Sequence, residues 1–127
     1  MFKKLFLFVM SCTVAFSVQA ADLQVVDVSI TSAIENRMPV DSLEVYPADY
    51  GKLYCFTRVV GAVSETQVTH VWLYEDQEMA RVTLPVQSAD WRTFSSKRFL
   101  PQWIGQWSVV IEDEQGSALA EVMFRLE

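Results

Sequence analysis

Beyond its first twenty residues the chain never sustains a helical rhythm. No run of ten or more residues keeps apolar side chains three and four positions apart. Short alternating stretches take their place. LQVVDVSI sets Val26, Val28 and Ile30 against Val25, Asp27 and Ser29, the period of a half-buried strand. KLYCFTRVVG, QVTHVWLYE, ARVTLPV, WRTFSSKRF, GQWSVVIED and ALAEVMFRLE follow. They are separated by Gly61, by the polar runs EDQE and DEQGS, and by the bend PQWIG, with Pro101 and Gly105. NRMPVD reads as a turn or irregular link, and LEVYPADYG is punctuated by Pro47 and Gly51. About seven strands at this spacing predict an all-β fold, an immunoglobulin-like antiparallel β-sandwich.

The alternation also assigns faces. Trp107, Val109 and Ile111 form an apolar set, as do Val122, Phe124 and Leu126. In LYCFTRV the set Leu53, Cys55 and Val59 is expected inside, with Tyr54, Phe56 and Arg58 outside. In THVWLYE the inward set could be His70, Trp72 and Tyr74, or Val71 and Leu73, and the first is taken. That choice suits the immunoglobulin pattern, in which a tryptophan packs beside a cysteine of the preceding strand. Val109 falls where the second cysteine would stand. Packing must therefore replace the usual disulfide, because Cys55 is the only cysteine beyond residue 20.

The first twenty residues are of another kind. MFKK is a short basic start, LFLFVMSCTVAFSV an apolar run, and Val18-Gln19-Ala20 offers small residues at the positions a signal peptidase reads. An uncleaved anchor would need a basic stop, which Ala20, Ala21 and Asp22 do not supply. Val9 and Ser11 suit a lipobox around Cys12, but Met10 does not. The expectation is a cleavable signal peptide over residues 1–20, one domain over residues 21–127, and export to the periplasm without a lipid anchor at Cys12. The membrane is then met only through the signal segment.

All sixteen acids lie beyond residue 20, and Lys3 and Lys4 before it, so the exported part carries eight cations and a net charge near −8. Nucleic acid is not an expected partner, since its recognition rests on neutralising phosphates over a general basic face.

Few residues suggest chemistry. Cys55 sits between Tyr54 and Phe56 on an apolar face, where a small buried hydrophobe is expected rather than a nucleophile. His70, the only histidine, lies mid-strand with no G-x-S-x-G elbow and no second histidine at metal-ligand spacing. A hydrogen-bonded core histidine is the expectation. The acids of EDQE and EDEQG lack the order of a calcium loop and suit solvated turns. No catalytic residue, cofactor or metal ligand is assigned.

One stretch departs from the acidic background. In ADWRTFSSKRFLPQWIGQW, residues 89–107, three tryptophans and three cations occur with no acid after Asp90. Trp91, Thr93, Ser95, Lys97 and Phe99 share one face, and Arg92, Phe94, Ser96 and Arg98 the other. Rings beside guanidinium and hydroxyl groups suit a glycan or an anion. The competing reading makes Trp91, Phe99 and Trp107 core and pairs the cations with surface acids. Arg92, Ser95, Lys97, Arg98 and Trp103 are the candidate ligand contacts, with Trp103 expected to be the exposed tryptophan.

The ordered motifs ENRMPVD, LYCFTRV, VTHVWLYE, WRTFSSKRFLP and GQWSVVIEDEQGSALAEVMF resemble the bacterial family called domain of unknown function 2914. The resemblance runs through the part beyond the signal segment, on Cys55, Phe56, His70, Trp72, Trp91, Arg92, Ser95, Lys97, Gly105 and Trp107. Phe94 departs from it, standing where the family tends toward tryptophan. The resemblance implies a small β-sandwich, exported or attached to membrane proteins, and brings no activity, cofactor or catalytic residue. The leading functional expectation is an exported, non-enzymatic binding module of the bacterial envelope, its partner an envelope protein or glycan. A structural subunit joined through a strand edge comes second, and a hydrolase built on His70 third.

Overall fold

The computed structural model of the protein describes residues 22–127. The expected signal segment, its cleavage point and Cys12 lie outside the described residues. In chain order the strands are β1 (Gln24–Thr31), β2 (Ile34–Glu35), β3 (Met38–Pro39), β4 (Val45–Tyr46), β5 (Lys52–Val60), β6 (Thr66–Tyr74), β7 (Gln77–Val86), β8 (Asp90–Arg98), β9 (Gly105–Glu112) and β10 (Ala118–Leu126). A single 3-10 turn covers Ala48–Tyr50, and no helix among the described residues is long and apolar enough to cross a membrane.

Two sheets face each other. One has the order β1-β5-β8 and the other β4-β10-β9-β6-β7, with β2 and β3 forming a separate ribbon. The seven strands of eight or more residues thus divide first, second and fifth against third, fourth, sixth and seventh. This is the sandwich expected from the alternation, with the two-sheet connections of immunoglobulin-like domains. All pairings of the long strands are antiparallel, and β4 runs parallel to the end of β10.

Turn chemistry sets the hairpins. Glu75 and Asp76 both take positive φ (47° and 67°), giving the two-residue connection whose twist suits β6 and β7. NRMPVD, expected as a turn or irregular link, is a turn that closes a second such hairpin: Asn36 and Arg37 take φ of 50° and 62° between β2 and β3. Asparagine tolerates that conformation, but arginine rather than glycine follows it, which hid the signal. At DEQGS, Asp113 Oδ1 accepts from the amides of Gln115 and Ser117, closing the turn into β10. Gly105 opens β9 at φ 121°, and a Cβ there would come within 2.8 Å of Glu75 Oε1. The backbone therefore calls for glycine at that point.

The inward faces are those the alternation assigned. Leu53, Cys55 and Val59 of β5 meet Val68, Trp72, Trp107, Val109, Ile111, Phe124 and Leu126 of the larger sheet in one buried cluster. Trp72 is register partner to Val109, with Cys55 in the facing sheet. Phe99 meets Trp107 edge-on at 4.7 Å, and Tyr74 stacks on Trp107 at 4.8 Å. Fully burying one such ring contributes about 1.5–3 kcal/mol, which is how the fold holds without a disulfide. Phe56 keeps its outer-face register yet is only 1 % exposed, lying between Ser29 and Phe94 on the neighbouring strands.

Candidate functional site

The deepest polar feature joins the two sheets. His70 of β6 is fully buried and uses both ring nitrogens on the opposite sheet, Nδ1 at 2.6 Å from Ser95 Oγ and Nε2 at 3.1 Å from Thr57 Oγ1. Trp72 Nε1 donates to the same Ser95 oxygen at 3.1 Å. A neutral imidazole carries one N–H, so one of the two hydroxyls donates to the ring and the other accepts from it. Burial pulls the His70 pKa down to about 4, so the ring is neutral near pH 7. Sealed from solvent, it has no approach for a substrate and acts as a polar pin between sheets. Cys55 is equally closed off, burial pushing its thiol far above the usual range.

The surface feature lies on the outer face of the smaller sheet, where β5 and β8 pair without a break. Lys52 stands across from Arg98, Tyr54 from Ser96, Phe56 from Phe94 and Arg58 from Arg92. Half of the eight cations beyond residue 20 thus share one face of two strands. Two like-charged pairs sit directly opposite each other, an arrangement that destabilises a ladder. Between them Tyr54 and Phe94 meet edge-on at 5.9 Å, with Phe94 half open to water. Six residues separate the charged rows, so the stripe is about 20 Å long at the rise of a strand.

Only one of these cations is neutralised. Arg58 grips Asp90 with two hydrogen bonds, Nε to Oδ1 at 2.9 Å and Nη2 to Oδ2 at 2.6 Å, which hold the Asp90 carboxyl below its usual pKa. Lys52, Arg92 and Arg98 make no ion pair among the described residues. Lys52 Nζ instead lies 5.0 Å from the Tyr54 ring centroid. Arg37, at the tip of the β2–β3 hairpin, joins Asp90 and Arg92 around a surface cavity of about 300 Å³.

The five candidate contacts read from the sequence therefore part company. Arg92 and Arg98 belong to the outer face. Ser95 does not: at 5 % exposure its hydroxyl is spent on His70 and Trp72, because odd positions of β8 point between the sheets. Lys97 shares that parity but lies at the sandwich end, its ammonium 4.9 Å from the Trp103 ring centroid and donating to Arg98 O. Burial draws its pKa below the ordinary lysine value. Trp103 is half-buried against Trp107 rather than exposed, and the open apolar residues beside it are Leu100 and Ile104. Lys52, Tyr54, Arg58 and Arg37 were missed. The alternation of KLYCFTR places three of them on one face, but nothing local says that this face pairs with WRTFSSKR.

A profile of the family described as Protein of unknown function (DUF2914) matches residues 65–126. The chain resembles that family. The match takes in β6 through β10 and not the earlier strands, a shorter reach than the motif order suggested. His70, Trp72, Trp91, Arg92, Ser95, Lys97, Gly105 and Trp107 fall inside it, and Cys55 and Phe56 before it. Comparison with curated proteins finds no match.

Proposed function

We propose that this chain is an exported, non-enzymatic binding module of the bacterial envelope, which takes an anionic partner on the outer face of β5 and β8. The observation that carries the reading is the pair of like-charged rows, Lys52 with Arg98 and Arg58 with Arg92, set about an aromatic pair on an acidic domain. Stability alone would favour opposite charges across such rows. A bound anion would turn the repulsion into attraction, and the local positive field would draw it from solution. The half-open Phe94 ring offers an apolar platform between the two charged ends. The sealed position of His70 supports a binding role over hydrolysis.

Titration of the purified protein with polygalacturonate and with poly-glutamate, followed by tryptophan emission, tests this. Binding is expected to fall at least tenfold in Arg92→Glu/Arg98→Glu and to weaken with added salt. Arg125→Glu, on the other sheet, is the control and leaves binding within twofold. Absence of binding to either polymer, or equal weakening by the control, overturns the proposal.

A further inference from the structure

Four strands terminate the two sheets, and three of them are closed to further pairing. β4 has two residues. In β1 the register breaks between Val25 and Asp27. In β7 a bulge sets Leu73 opposite Glu78 after Trp72 opposite Ala80, and Pro85 removes a donor. Short strands, bulges and prolines are the ordinary means of blunting an edge.

β8 has none of these. Its nine residues pair with β5 in unbroken register from Lys52↔Arg98 to Val60↔Asp90. On its far side no backbone hydrogen bond to another described segment is formed between Asp90 and Arg98. Along such an edge every second residue turns its N–H and C=O away from the sheet. What guards this edge is charge. Arg92 and Arg98 repel a basic strand from the outer face, and the same groups attract an acidic one.

We infer that the anionic partner of the outer face is an extended acidic polypeptide segment that adds to β8 as a further strand. This rests on the proposed binding role and deepens it by naming the class of partner. Side chains of the added strand would meet Arg92, Phe94, Ser96 and Arg98 in turn on the outer face, at alternate positions. The segment recognised therefore carries acids six residues apart, with an apolar or aromatic residue between them opposite Phe94. Backbone pairing supplies affinity, and the acids select the partner and its register. An acidic glycan could answer the two arginines but has no amide ladder to offer the edge.

The test uses a nine-residue peptide, Thr-Glu-Thr-Val-Thr-Val-Thr-Glu-Thr, whose symmetric sequence suits either strand direction. Its partner peptide carries proline at the fourth and fifth positions, one of which turns its N–H toward β8 in either strand direction. Polygalacturonate is the third probe. Amide hydrogen exchange of the intact protein is followed by NMR with each. The first peptide is expected to slow exchange at least tenfold at edge-facing amides between Arg92 and Ser96, and the proline peptide to bind at least tenfold more weakly. Polygalacturonate is expected to leave those amides unprotected. Equal binding of the two peptides, or binding without protection at β8, overturns strand addition while leaving the anion-binding face intact. Failure of all three probes to bind removes both proposals.

Discussion

His70 and Ser95 meet across the two sheets, Nδ1 to Oγ at 2.6 Å, with Ser95 the register partner of Cys55 on the neighbouring strand. The contact closes a hydrogen-bonded chain in which Trp72 Nε1 donates to Ser95 Oγ and the His70 ring links Ser95 to Thr57 Oγ1. Burial opposes the charged ring.

Stability is expected to fall as acid is added. The His70 pKa is about 4 in the folded protein, against a value near 6.5 when unfolded, so the unfolded chain takes up the proton first. The contribution is complete above pH 6.5 and is lost as pH falls toward 4, amounting to about 3 kcal/mol. Urea midpoints measured between pH 7 and pH 4 should decline in the native protein and decline much less in His70→Gln. Asp41 enters only lower. Burial raises its pKa, but hydrogen bonds from Ser32 and Tyr46 outweigh that and hold it below 3.8.

Ser95→Ala is expected to weaken folding rather than binding. It leaves the Trp72 N–H and His70 Nδ1 buried without partners, at a cost of about 2–4 kcal/mol. Chemical denaturation gives the loss, and polyanion titration of the folded variant should match the native curve. A binding defect without a stability defect would return Ser95 to the ligand.

Cys55 is expected to resist modification while the protein is folded. Its thiol is fully buried and burial holds it protonated. A maleimide should label it only in denaturant, at a rate that follows unfolding, which mass spectrometry reads directly.

Much of this was legible from alternation alone. Trp107, Val109 and Ile111 read as one face because β9 obeys a period of two, and Cys55, His70 and Trp72 followed by the same rule. The turn at NRMPVD was legible, but the β2–β3 pairing around it escaped because Arg37 occupies a position where glycine would have announced a hairpin. The outer face escaped for another reason. Residues 52–58 and 92–98 meet only through a pairing some forty positions apart in the chain, and no local pattern encodes that register. Ser95 and Arg98 looked alike as polar members of one segment. Parity separates them: Ser95 points between the sheets, and Arg98 keeps the parity of the outer face.

In the proposed role, the cations on β5 and β8 serve a partner at the expense of the fold. Arg98→Glu tests it most directly, because it replaces repulsion across the ladder from Lys52 with attraction. Thermal unfolding and titration with the acidic nine-residue peptide are measured on the same preparation. Tm should rise by about 2–4 °C while affinity falls about tenfold. A variant that binds as before, or that loses stability along with affinity, would overturn this role for the cations.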